Sequence, residues 1–506
     1  MLIVGYARTA SPANRWAIRC RVQVIMKINK IIPVLLVAFF MASCAPAAKV
    51  IPTATAASKS TYPTAPLPPT FTPVPPTPTL TSTPIPTVDL KSQNIPDPRL
   101  SDPDLFNLEK PNAPIPQYVH ALNMAGVDIS AQKINASLTY KAVKTQNGDM
   151  VILLTTTDLP ETSYNEGNVP LFVYMKDQET GQYTWSKAHL KDIASLHNIL
   201  VGALINAAQE MDLNKKTGMF TDNFSVANIP YDTKDVPPNS MDRDTNYRLS
   251  RIANEKLDEL MFFHLGWGAS QHEVFPSKEE GVKFVNDAID SIAQKYGDKI
   301  TIASIMNEIH PGYPGYSMWK MFGDEYLLDI YRHAREVLPN AKLIYNETYN
   351  YSKSHEGTYY PYTLQISKLL AKDNLIDAVG MQMHMAQNEP SLNTPINVDE
   401  TVDVMRSFGL PVYVTELDVN QTYMKGSDQG KLIQQSDWYE KVVRSCVRSE
   451  VCKLINFWGQ SDPWSWYIAV NEPNAKACIF DEIGAPKLAF YAVLRGLTDG
   501  YISPMP

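Results

Sequence analysis

Long apolar runs are scarce in this 506-residue chain: the strongest, Ile31–Met41 (IIPVLLVAFFM), is too short to span a bilayer comfortably, which takes about 20 residues. Cysteine is scarce too. Of five, Cys20 and Cys44 precede any foldable segment, and Cys446, Cys452 and Cys478 show no zinc-ligand spacing with histidines. Positive charge is in deficit, 45 Lys and Arg against 53 Asp and Glu, so no basic field exists to hold nucleic acid. With 44% apolar residues and a net charge of -8, the chain reads as an acidic globular protein, long enough for one large domain with appendages or for two or three small ones.

Proline is plentiful, at 38, but crowded. Residues 1–44 read as an extension followed by an export signal: Met26 opens it, Lys27 and Lys30 supply positive charge, the apolar run follows, and Met41-Ala42-Ser43-Cys44 closes it like the lipid-attachment box of bacterial lipoproteins. The expectation is an exported protein lipidated at Cys44 and anchored at a membrane surface. Residues 45–96, rich in Pro and Thr, cannot bury enough apolar surface to order themselves and read as a disordered, extended tether. Residues 97–187 alternate in hydrophobicity: Ala136–Tyr140, Met150–Thr155 and Leu171–Met175 read as strands, with turns at Asn147-Gly148 and Thr180-Gly181, giving a small β-rich module whose aromatics read as core.

Residues 188–506 alternate strands with helices. Leu200–Ile205, Phe224–Asn228, Leu260–Leu265, Ile300–Ile305, Lys342–Tyr345, Ala378–Met383, Val412–Thr415 and Lys453–Phe457 are eight strands, the number a (β/α)8 TIM barrel requires. Amphipathic stretches lie between them, Lys278–Tyr296 and Glu325–Val337 among them, and Pro486–Leu497 reads as the closing helix. The stretch through Pro237-Pro238-Asn239 reads as a barrel-top loop.

Two of these strands end in carboxylates. Pro411–Asn420 (PVYVTELDVN) places Glu416 where its strand stops, and Lys299–Ile309 (KITIASIMNEI) does the same with Asn307-Glu308. The glutamates are 108 residues apart, three βα units of roughly 36 residues, so both can face the carboxyl end of one barrel. Paired carboxyl groups at such a site suit acid/base and nucleophilic work on a glycosidic bond.

From about Leu190 to Leu497 the chain resembles glycoside hydrolase family 10, the retaining endo-β-1,4-xylanases. The motifs MNE, YNETYN, DAVGMQMH, VTELD and FWGQSDPWSW stand in the family's order and spacing. The resemblance implies that Glu308 is the general acid/base and Glu416 the nucleophile. It implies that His384 bonds Glu416 and is oriented by Asp418, with Gln382 beside it, and that Asn307 bonds the sugar 2-hydroxyl. It implies that Trp458 and Trp466 wall the cleavage point. Asn346 and Tyr349 would line the leaving-group side, with Tyr313, Tyr316 and Tyr351 as looser candidates. Cys446 and Cys452 match a disulfide of many members. No metal or cofactor is implied; the expected partner is a polysaccharide, xylan or a related β-glycan, and the protein a monomer.

The N-terminal half departs from the family. Its Glu-Asn and Lys after the second strand have no clear counterpart in Phe224–Asp232. After the third strand Trp267 is in place to floor the site, but His264 lies three residues before it rather than four, and Gly268 replaces a histidine. Ala303-Ser304 replaces Trp-Asp ahead of the acid. Two other readings stay open: a glycan-binding protein of this fold without catalysis, and a hydrolase of the same mechanism acting on another β-glucan.

Overall fold

The computed structural model describes residues 95–499, apart from 146–148, 159, 161–167, 178–179, 206–207, 231–247, 251, 253–256, 258, 264–274, 355–356 and 387–395. The export signal, Cys44, nearly all of the Pro/Thr-rich tether, the Asn147-Gly148 turn, the loop through Pro237-Pro238-Asn239, His264 and Trp267 lie outside the described residues.

After the helices Pro98–Ser101, Pro114–Met124 and Ala131–Ser137 comes an antiparallel sheet of β1 (Thr139–Lys144), β2 (Met150–Thr156), β3 (Val169–Lys176) and β4 (Tyr183–Lys187), each paired to the next. Ala136 and Ser137, expected to open the first strand, end a helix instead: Ser130 accepts the Lys133 N–H at its start, and that cap fixes Ala131–Ser137 as helical. β4 was not among the expected strands. At the β3–β4 turn, Gly181 takes a φ of 68° and donates its N–H to Asp177, a backbone conformation that suits glycine. The sheet packs on the last described helix, Leu488–Leu497, with Tyr118 of the helix Pro114–Met124 meeting Tyr491 at a ring separation of 4.6 Å.

Eight parallel strands follow: β5 (Leu200–Leu204), β6 (Val226–Pro230), β7 (Glu259–Phe263), β8 (Ile302–Asn307), β9 (Lys342–Glu347), β10 (Ala378–Met381), β12 (Val412–Val419) and β13 (Cys452–Phe457). Each pairs with the next, β13 returns to β5, and the ring is therefore closed. The short β11 (His384–Met385) extends β10 and pairs with the far end of β12. The barrel's interior holds Leu204, Val226, Ile302, Ile344, Ala378, Tyr413 and Leu454, with Trp458 above them. A second, larger apolar core lies between strands and helices and continues into the N-terminal sheet.

The helices follow from local signals. In Lys278–Tyr296, Ser277 accepts the Glu280 N–H, Glu279 and Glu280 occupy the first turn and Lys295 the last. Its buried residues, Gly281, Val285, Ile289, Ile292 and Tyr296, recur every three or four positions and form one face.

Candidate active site

Each glutamate stands beside a break in strand regularity. Against β9, the pairing of β8 passes from Ser304–Ile344 to Met306–Tyr345, so β8 carries one extra residue just before Asn307. Glu308 then takes a φ of 56° and leaves the strand. Against β13, the pairing of β12 passes from Val414–Ile455 to Leu417–Phe457, with the extra residue in the Thr415-Glu416 stretch. Bulges of this kind re-aim side chains at barrel rims. The strand expected to stop at Thr415 therefore continues to Val419, because β11 offers Asp418 and Val419 a partner.

Main-chain bonds tie four strand ends together: the Glu308 N–H donates to Asn346 O at 3.1 Å, Gln382 to Glu347 O at 3.1 Å, and Glu416 to Gln382 O at 2.9 Å. Side chains complete the frame. Gln382 Nε2 donates to Glu308 Oε1 at 2.8 Å and to Asn307 Oδ1 at 3.2 Å. Asn346 Nδ2 donates to the same Asn307 oxygen at 2.6 Å and to Glu416 Oε1 at 2.7 Å, while Thr415 Oγ1 donates to Asn346 Oδ1 at 2.6 Å. A continuous chain of amides thus joins the two carboxyl groups. Asn346 is fully buried.

On the other oxygen, His384 Nε2 lies 3.0 Å from Glu416 Oε2, and His384 Nδ1 lies 3.0 Å from Asp418 Oδ1. Trp466 Nε1 donates to Asp418 Oδ2 at 2.8 Å and Tyr467 Oη to Asp418 Oδ1 at 3.3 Å. The His384 ring sits 6.1 Å from Trp458 and 5.5 Å from Trp466. Gln382 and His384 reach one site across Met383, whose φ of 62° interrupts the strand between them.

Burial alone would lower the His384 pKa, but the Asp418 and Glu416 carboxylates outweigh it and hold the ring up at about 10. A protonated His384 donates through Nε2 to Glu416 and pairs by charge with Asp418. Burial pushes the Glu416 carboxyl above its ordinary range and Glu308 adds to this, while the bonds from His384 and Asn346 favour its charged form. Asn307 Nδ2 is buried and has no protein acceptor among the described residues, which leaves a donor for a ligand.

Several neighbours complete the site. Glu347, at the end of β9, is fully buried and accepts from Tyr345 Oη at 2.6 Å, and His310 Nδ1 lies 2.8 Å from it. Tyr359 stacks on His310 at 3.7 Å. Tyr349 is half-buried at the rim, its ring 6.1 Å from that of Tyr359. The Glu in YNETYN was a visible carboxylate at a strand end, and that signal could have singled out Glu347. Cys446 and Cys452 form a disulfide where the helix Asp428–Ser449 meets β13, and Cys478 is free and buried. Among the described residues, no group of three or more His, Cys, Asp or Glu side chains could hold a metal ion.

A closed parallel barrel with two carboxyl groups joined by a buried amide frame at the carboxyl ends of its strands defines a class, the (β/α)8 glycoside hydrolases. Within that class the chain belongs to glycosyl hydrolase family 10, whose model matches residues 190–496. Endo-1,4-beta-xylanase B of Thermotoga neapolitana is 28% identical over 232 residues, 45% of this chain and 64% of that protein. Endo-1,4-beta-xylanase D of Talaromyces funiculosus is 30% identical over 184 residues, 36% of this chain and 43% of that protein. The chain thus spans less than two thirds of these relatives. Native xylanase 10B of Thermotoga maritima shares the fold with a TM-score of 0.52 at 22% identity, covering 62% of this chain and 99% of that one. Xylanase 10B of Thermotoga petrophila RKU-1, solved with xylobiose, has a TM-score of 0.51, again at 22% identity and covering 62% of this chain and 99% of that one.

Proposed function

We propose that this protein is a retaining endo-acting β-glycosidase that hydrolyses β-1,4-xylan. The observation that carries this reading is the buried amide chain from Glu308 through Gln382, Asn307 and Asn346 to Glu416, which positions two carboxyl groups together on a barrel rim. Glu416, oriented by His384 and Asn346, attacks the anomeric carbon. Glu308 gives a proton to the departing glycosidic oxygen, then takes one from the water that releases the covalent glycosyl-enzyme. Asn307 Nδ2 is the donor for the sugar 2-hydroxyl, a bond that strengthens in the transition state. Trp458 and Trp466 offer flat apolar faces to a pyranose ring.

The export signal, the box ending at Cys44 and the Pro/Thr-rich tether support an exported enzyme, held on a cell surface by lipid, that acts as a monomer on polysaccharide outside the cell. The test is a product profile on xylan, arabinoxylan, mixed-linkage glucan and cellulose, with Glu416→Ala as control and the product anomer followed by NMR. Short β-configured xylo-oligosaccharides from the wild type, lost by several orders of magnitude in a folded Glu416→Ala, are the expected result. Cleavage of glucan alone would reassign the substrate. Silence on all four would move the protein to glycan binding, and an α-configured first product would sink the retaining mechanism.

A further inference from the structure

Asp418, buried beside His384, is held from its other side as well. Its Oδ1 lies 3.0 Å from His384 Nδ1 and accepts the Tyr467 hydroxyl at 3.3 Å, while its Oδ2 accepts Trp466 Nε1 at 2.8 Å. Trp466 and Tyr467 are the first two residues of one short helix, Trp466–Ala469, with ring centroids 4.4 Å apart. Successive helical side chains point about 100° apart, so both reach one carboxylate only because the start of this helix sits against it. Tyr467 is 3% exposed, and a buried phenol is costly without an acceptor.

Local signals shape that helix. Ser465 caps its start by accepting the Tyr467 N–H. At its end Asn471 takes a φ of 64°. The Asn471 N–H then reaches Ile468 O at 3.3 Å and the Glu472 N–H reaches Tyr467 O at 2.8 Å, the two bonds of a Schellman motif. This reversal turns Glu472 toward the segment that follows β12. Its Oε2 accepts Asn420 Nδ2 and its Oε1 the Tyr423 hydroxyl, at 2.8 Å each. Main-chain bonds continue the seam, from the Gln421 N–H to Ala475 O at 2.7 Å and from the Val419 N–H to Ala477 O at 3.3 Å.

We propose that Tyr467 is a positioning residue for Asp418, and that Glu472 clamps the Trp466–Tyr467 helix to the end of β12 so that both donors stay on that carboxylate. The inference rests on the reading of Glu416 as nucleophile and deepens it. With Oδ2 held by the indole and Oδ1 by the phenol, Asp418 is fixed at both oxygens, and His384 is presented to Glu416 Oε2 at one angle. Trp466 offers its face to the sugar while its N–H holds Asp418, so the wall and the support of the nucleophile are one piece. Their benefit falls on attack at the anomeric carbon, a step every substrate undergoes whatever its leaving group.

The experiment compares the full-length wild type, Tyr467→Phe, Asp418→Asn, the double variant Tyr467→Phe/Asp418→Asn, Glu472→Ala, Glu472→Gln and Glu416→Ala on xylan and on 2,4-dinitrophenyl β-xylobioside. Tyr467→Phe should lower kcat/KM roughly three- to thirty-fold and by the same factor on both substrates, the rate equivalent of a long hydrogen bond to a charged group, with KM little changed. In the Asp418→Asn background the same substitution should cost no more than about two-fold, because the carboxylate it serves is gone. Glu472→Ala should lose at least as much and also raise KM for xylan, since it releases Trp466 with Tyr467, and Glu472→Gln, which keeps one acceptor, should recover part of the loss. Undiminished turnover in Tyr467→Phe, a loss confined to xylan, or an equal loss in both backgrounds would overturn the inference. Should Glu472→Ala fail to fold, the cycle of Tyr467 with Asp418 decides alone. Full activity in Glu416→Ala, or wild-type silence on both substrates, would remove the nucleophile reading and this inference together. Wild-type kinetics in Tyr467→Phe beside an inactive Glu416→Ala would remove the inference alone.

Discussion

Replacing Asp418 by Asn deletes one charge from the site and keeps the side chain's shape. His384 sits 3.0 Å from each of its carboxylates, and its pKa, which burial alone would lower, is raised by Asp418 and then Glu416 from 6.5 to about 10. Because the folded-state value lies above the unfolded one, the stability this proton contributes is fully present below pH 6.5 and lost as pH rises through about 10. At 1.36 kcal/mol per pH unit, the stretch from pH 7 to 10 corresponds to roughly 4 kcal/mol. Asp418 is the larger of the two raising charges, so Asp418→Asn should cost at least half of this at pH 7, about 2 kcal/mol. Above the folded pKa the ring is neutral in both proteins and that part of the difference vanishes. Urea unfolding of wild type and variant at neutral pH and again at about pH 11 reads the two deficits directly. The alkaline limb of kcat/KM should also move toward neutrality in the variant, since His384 then loses its proton earlier. A deficit that is the same at both pH values, or that grows with pH, would refute the assignment of a charged His384 between two carboxylates.

Gly380→Ala tests the amide frame without touching either glutamate: the added Cβ would stand 2.3 Å from Asn346 Oδ1, so Asn346 must move and its bond to Glu416 with it. The expected result is a fall in kcat of roughly ten- to hundred-fold with KM little changed, and wild-type kinetics would show that Asn346 is dispensable. Gly202→Ala, whose Cβ would meet Asn456 Oδ1 at 2.7 Å and Val226 Cβ at 2.8 Å inside the barrel, should instead destabilise by about 1–3 kcal/mol in urea unfolding. Replacing Cys446 and Cys452 together by Ala opens a loop with a sequence separation of 6 and should cost about 2 kcal/mol of stability, read by the same measurement, with the activity of the folded enzyme unchanged.

Much of the barrel was legible in the chain because its signals are local. Eight apolar stretches separated by amphipathic ones, Lys278–Tyr296 among them, give the strand count. A carboxylate at the end of a doubly buried strand is conspicuous by the cost of burying it, which is why Glu308 and Glu416 stand out in the sequence. The N-terminal sheet was read less well: the Ser130 cap outweighed the alternation at Ala136 and Ser137, and β4 carries two exposed residues that weaken its pattern.

Other features exist only once strands are paired. A bulge is a mismatch between neighbours, so neither the extra residue before Asn307 nor the one at Thr415-Glu416 has a signature in its own strand. The extension of β12 to Val419 depends on β11, which starts after the left-handed residue Met383. Asn346 became a link in the amide chain between the two carboxyl groups because strands β8, β9 and β12 bring Asn307 and Glu416 each within one hydrogen-bond length of it. His310, Glu347, Tyr359 and Tyr313 are likewise joined across three segments. The amino-acid sequence by itself determined which residues could do the chemistry and the barrel that carries them. The tertiary structure decided which partners orient and charge them, because hydrogen bonds and ion pairs act across a few ångströms of space between groups that lie tens of residues apart along the chain.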